Sequence, residues 1–234
     1  MQNETGSEVA HDTTADTSAL EAEVRSTIAQ GGDVKRAVQH LTLQKLSEKN
    51  HDLESLGRVV TAVMQGVRED AQQKLKHTSV QTQASLAQIT DAVAGLDAAL
   101  AQLAEASKLA VEEAAGRAEK FSHEELARAR TELESLEALF LDTLKVSASA
   151  AKGAVSDTLH DLFAHAKRNG TAVGSQLKDT LAVIAHQMTL VGHTQFQESM
   201  HFTQATADLM RKIAAGLLTG IAERVKPGDN SKGT

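Results

Sequence analysis

Residues Leu86–Leu103 read LAQITDAVAGLDAALAQL. The large apolar residues Leu86, Ile89, Val93, Leu96, Leu100 and Leu103 are separated by 3, 4, 3, 4 and 3 positions. At 3.6 residues per turn, that alternation lays one apolar seam along a helix, in heptad spacing. Ser107, Ala110 and Ala114 prolong it with small residues. Such a seam is buried only against a second helix, from the same chain or from another. The stretch decides the fold class: an all-α, elongated antiparallel helical bundle with long amphipathic, coiled-coil-like helices.

The composition agrees. Of 234 residues, 41% are apolar, yet there are five Phe and no Trp or Tyr. A core of Ala, Leu and Val suits closely packed helices rather than a compact aromatic core. The one proline is Pro227, so the strongest helix breaker is missing from everything before it. The chain has no Cys, which removes disulfides, thiolate nucleophiles and cysteine zinc sites. The formal charge of −7 argues against nucleic acid as a partner. Much of that charge is local: Glu4, Glu8, Asp12, Asp16, Glu21 and Glu23 face only Arg25 within the first 30 residues.

Outward from the seam, local signals divide the chain. Residues 1–17 are expected to be a disordered acidic tail without a secretory signal. Residues 18–76 read as a unit of three short helices. The first carries Leu20, Val24 and Ile28 and ends at Gly31-Gly32, with Asp33 as the next N-cap. The long-helix bundle spans 79–226, and 227–234 form a polar tail. Within the bundle, FSHEEL (Phe121–Leu126) holds a Ser122-x-x-Glu125 capping box, which starts a new helix. The short break before it predicts that the helices on either side fold back on each other. Ser147–Gly153 reads as a loop or a thin helix, Asn169-Gly170 as a helix stop, and Thr171–Lys226 as a final helix bent at Gly192. The longest apolar run, Ile213–Ala222, is too short to span a membrane, which takes about 20 residues.

Two acid–histidine steps raise the question of metal: Asp157-x-x-His160 and Glu198-x-x-His201. Ferritin-like bundles hold iron with carboxylates and such steps projecting inward from facing helices. Counting about 100° per residue from His186 puts Leu177, Leu181, Ile184, Met188 and Val191 on the opposite side of the helix. His193 then lies near His186 on the outer face, and Asp157-x-x-His160 points away from Val155, Leu159 and Leu162. Polar surface is the favoured reading, and no metal or cofactor is expected. The sequence also lacks a nucleophile elbow and a Gly-rich phosphate loop, and its basic residues do not cluster with aromatics. An enzyme is not expected.

Two features near the C-terminus point to contact surfaces instead. Phe196 and Met200 lie on a side that is otherwise polar, and Gly216-x-x-x-Gly220 is a small-residue step that lets another helix approach. Together with the seam from Leu86 to Leu103, these are the interaction candidates.

Three stretches carry a family likeness: EASKLAVEEAAGRAEKFSHEELARARTELESLEALFLDTL (Glu105–Leu144), RNGTAVG (Arg168–Gly174) and GLLTGIAERVKP (Gly216–Pro227). They resemble an uncharacterised family of helical bacterial proteins, a domain of unknown function, which implies no activity and no catalytic residues. In texture, Glu124–Val173 is also similar to phasins, the helical proteins that coat polyhydroxyalkanoate granules. The shared traits are Ala-rich amphipathic helices, absence of Cys, and Phe140 and Phe163 in Leu-rich stripes. The expectation is a cytoplasmic structural protein that self-associates and coats a granule or lipid surface. The alternatives are a ferritin-like metal bundle and a coiled-coil scaffold in a stress or signalling complex.

Overall fold

The computed structural model describes residues 5–48, 53–77, 82–116 and 121–192. Among them are seven helices and no strand: α1 (Thr5–Ala29), α2 (Val34–Glu48), α3 (Leu53–His77), α4 (Thr82–Gly116), α5 (His123–Ala150), α6 (Ala154–Asn169) and α7 (Ala172–Gly192). The boundaries follow local chemistry. Gly31 and Gly32 take positive φ after α1, and the Asp33 carboxylate accepts the Arg36 amide at 3.0 Å to open α2. At α5 the capping box closes both ways: Ser122 Oγ accepts from the Glu125 amide at 3.2 Å, and Glu125 Oε2 accepts from the Ser122 amide at 2.8 Å.

One boundary differs from expectation, and another falls within the two readings the sequence left open. α1 begins at Thr5, well before Ser18, in the stretch expected to be a tail. Thr and Asp lower helix propensity without forbidding a helix, and no proline interrupts the stretch. The Ser147–Ala150 part of the small-residue stretch belongs to α5, and the turn is confined to Ala151–Gly153, where Gly153 has φ +57°.

Side-chain contacts set the topology. Gly66 of α3 lies against the Glu21 carbonyl, while Arg25 reaches Glu69 at 3.6 Å and Gln73 at 3.3 Å. Moving forward on α1 therefore means moving forward on α3, so the two run parallel. In the same way Gly95 of α4 abuts Lys35 of α2, and Gln39 donates to Gln102 at 3.0 Å. Asp97 of α4 meets Ala172 and Val173, and Thr180 meets Ala104, so α7 is parallel to α4 as well. The links at α1–α2, α3–α4 and α5–α6 are reversals, marked by Lys45–Glu23 (3.8 Å), Lys74–Gln88 (2.9 Å) and Ser156–Ala148 (2.9 Å).

The result is a stack of antiparallel helix pairs in two layers. α1, α3 and α5 form one layer; α2, α4 and the α6–α7 column form the other. α6 and α7 run in the same direction, because α6 descends α5 from Ala148 towards Glu137 and α7 continues from there beside α4. The α4–α5 link does reverse the chain, but α4 packs mainly on α2 and α7 and only marginally on α5. A helix seam states that a partner is needed, not which one.

All seven helices contribute to one apolar core, from Leu20, Val24 and Ile28 of α1 to Val173, Leu177 and Ile184 of α7. The quoted seam lies in it. Ile89, Val93, Leu96 and Leu100 are buried, and Leu86 and Leu103 are half-buried against the core. Each fully buried Leu contributes about 1.5–3 kcal/mol relative to an exposed one.

Candidate functional site

The strongest polar convergence in the bundle sits where α7 begins. Gly170 ends α6 in a left-handed conformation, φ +82°, its amide donating to the Ala166 carbonyl at 2.8 Å. Thr171 then acts as a local cap: its hydroxyl accepts from the Gly174 amide at 2.9 Å and donates to Glu137 Oε1 of α5 at 2.7 Å. The next two amides, Ala172 and Val173, donate to the two carboxylate oxygens of Asp97 on α4, at 2.8 and 2.9 Å. Asp97 of α4 and the Thr171 hydroxyl thus satisfy the first turn of α7, where the helix dipole favours negative charge, and Glu137 of α5 holds that hydroxyl in place. A Cβ at Gly174 would meet the Glu137 carboxylate and push it away from the Thr171 hydroxyl.

Asp97 is half-buried, and burial pushes its carboxyl above the ordinary range. The Val173 and Ala172 amides pull it back, Glu137 adds to the rise, and Lys35 of α2 opposes it. Burial wins because two hydrogen bonds and one cation do not replace full hydration. The site can bind a proton, but the Asp97 and Glu137 oxygens already accept bonds that dock α7.

A second polar region lies between α1 and α3, a cavity of about 530 Å³ lined by Arg25, Ser26, Asp70, Gln73 and Lys74 among others. Its charges are matched in place: Lys74 with Asp70 at 2.8 Å and Arg25 with Glu69 at 3.6 Å. Nearby, burial raises the Glu21 carboxyl, with Glu69 adding and Arg68 and Arg25 opposing.

Asp157 and His160 are exposed on α6, and His186 is exposed on α7. Among the described residues no three His, Cys, Asp or Glu side chains converge to hold a metal ion, and no helix is long and apolar enough to cross a membrane. Glu198, His201, Phe196, Met200, Gly216 and Gly220 lie outside the described residues. Sequence reasoning did not single out Asp97 or Glu137. The helix stop at Asn169-Gly170 marks Thr171 as a cap, but nothing near Asp97 in sequence signals a role 75 positions away.

A family model described as a family of unknown function (DUF6781) matches residues 10–227. The chain belongs to that family. The DUF6781 match takes in α2 to α7 whole and most of α1, and runs on past Gly192. Asp97, Glu137 and Thr171 all lie within it. No curated protein and no solved structure matches the chain.

Proposed function

We propose that this DUF6781 chain is a non-enzymatic structural protein that self-associates through helical faces. The observation that carries the reading is the use made of its interior carboxylates: Asp97 and Glu137 direct their oxygens at the start of α7 and hold helices together. The Leu86–Leu103 seam is covered within the chain, so contacts between copies fall to the remaining apolar positions. Those are the side bearing Phe196 and Met200 and the Gly216-x-x-x-Gly220 step, which admits close helix approach. Val146 on α5 and Leu109 on α4, 66% and 44% exposed, add apolar points to the surface. Coating of a granule or lipid surface would use the same faces.

Sedimentation velocity on the full chain over a concentration series tests this. The expected result is reversible association that weakens when Phe196→Ser and Met200→Ser are combined, with helical content unchanged. A single-chain species at every concentration contradicts self-association. Flotation with phospholipid vesicles or polymer granules then shows whether such a surface binds the same faces.

A further inference from the structure

Helix α5 buries one side and leaves a second stripe open. Leu126, Leu133, Leu136, Phe140, Leu144 and Ala148 are buried. On another side, Ser135, Leu139, Asp142, Val146 and Ser149 follow one another at steps of 4, 3, 4 and 3. That is the heptad spacing of the buried Leu86–Leu103 seam, set on the outside of the bundle. Val146 is 66% exposed, the most of any large apolar side chain among the described residues. Asp142 and Ser149 are exposed, Ser135 is half-buried, and Leu139 is half-buried against the core. Asp142, Lys145, Val146, Ser149 and Ala150 line an open hollow of about 570 Å³.

The charges on this stripe point to what covers it. Asp142 and Lys145 stand at i and i+3, both exposed. Neither makes an ion pair with another described residue, whereas Arg130 and Glu134 on the same helix pair at 2.7 Å. A partner surface of one sign would oppose either the acid or the base. A second copy of α5 lying parallel would set Asp142 against Asp142. Lying antiparallel, it satisfies both charges. With the two helices centred on position 144, Leu139 falls opposite Ser149 of the second copy and Asp142 opposite Val146 of that copy. Lys145 of the second copy then lies one position from Asp142, and the twofold axis repeats the pair. Such a patch is self-complementary and closes at two copies. A polar residue at a single seam position also selects the register.

We propose that the Leu139–Ser149 face of α5 is a twofold contact between two copies of this chain. The helices run antiparallel and centre near position 144, and Asp142 of each copy pairs with Lys145 of the other. This contact presupposes the self-association proposed above, and it gives that association a face separate from Phe196 and Met200.

Sedimentation velocity on the full chain at low ionic strength tests it with Asp142→Lys and Lys145→Asp. Each variant alone brings like charges together at both positions. Each is expected to associate about tenfold more weakly than the parent, with helical content unchanged. An equimolar mixture is expected to regain parental association as a mixed pair, because one copy then presents two Lys and the other two Asp. If the parent associates and each variant matches it, the face belongs to another occupant, a different protein or a lipid surface. The twofold contact is then overturned while self-association stands. Weakened variants whose mixture regains nothing overturn the antiparallel register. A parent that stays single at every concentration overturns both readings.

Discussion

The Asp97 carboxylate accepts the Val173 amide at 2.9 Å across 76 positions of sequence. Its other oxygen accepts the Ala172 amide, so most of the N-cap of α7 comes from another helix. Helix caps usually come from the residue that precedes the helix and act locally. Here the cap also fixes how α7 sits on α4, so its loss is felt as loss of tertiary structure. Asp97→Ala is expected to lower stability by about 0.5–2 kcal/mol, the range for losing a cap. Asp97→Asn, which keeps one acceptor, is expected to cost less. Urea unfolding followed by circular dichroism measures both; an Ala variant as stable as the parent contradicts the assignment.

The same carboxyl makes stability depend on pH in a defined direction. Burial, with help from Glu137 and against the Val173 and Ala172 amides and Lys35, raises Asp97 above its usual 3.8. The folded chain therefore holds this proton more tightly than the unfolded chain. The stability it contributes is complete below pH 3.8 and is lost as pH rises through the raised value. Glu21 acts with the same sign from its usual 4.5 upward. Subtracting the Asp97→Asn profile from the parent profile cancels Glu21 and the other carboxylates that do not interact with Asp97, leaving Asp97 and its coupling to Glu137. The difference is expected to move against the parent as pH rises from 3.8; a flat difference would refute the coupling.

Two glycines set the closeness of the parallel helices. A Cβ at Gly95 would collide with the Lys35 carbonyl, and one at Gly66 would lie 2.8 Å from the Glu21 carbonyl and 2.9 Å from Val24 Cβ. Both obstacles include backbone, which gives way only if the helices separate. Gly95→Ala and Gly66→Ala are each expected to cost about 1–3 kcal/mol, the range for overpacking. Gly116→Ala meets nothing within 4 Å and is the control, expected to be neutral or slightly stabilising. Thermal melts of the three variants separate close approach from helix propensity, since propensity alone would favour Ala at all three.

The Leu86–Leu103 seam acts inside the single chain. Leu96 is fully buried, whereas Leu109 on the same helix is 44% exposed. Leu96→Ala is expected to cost about 2–5 kcal/mol, and Leu109→Ala less than about 0.5 kcal/mol. Unfolding at several protein concentrations is the check. A Leu96→Ala penalty that vanishes on dilution would place the seam between chains.

Much of this architecture is legible because helix signals are local. The 3-and-4 spacings, the Ser122–Glu125 capping box, Asp33 after Gly31-Gly32 and the Asn169-Gly170 stop each act within a few residues, and each marks a real boundary. The arrangement of helices is not local. The Leu86–Leu103 seam does not specify α2 and α7 as its neighbours, and a short link before Phe121 does not make α5 the main partner of α4. Gly66, Gly95 and Gly174 read as scattered glycines until the groups occupying their missing side-chain space are known. Asp97 sits mid-helix beside Leu96 with no mark of its own, since both its backbone partners lie more than 70 positions away.

The claim that interior carboxylates build the docking of α7 is tested most directly by native-state amide exchange at Ala172 and Val173. In an undocked helix, first-turn amides have no partner and exchange freely. In the parent chain both are expected to be as protected as the α4 core, and in Asp97→Ala both should fall to fast local exchange while α4 stays protected. Equal, weak protection of these two amides in parent and variant would contradict the account.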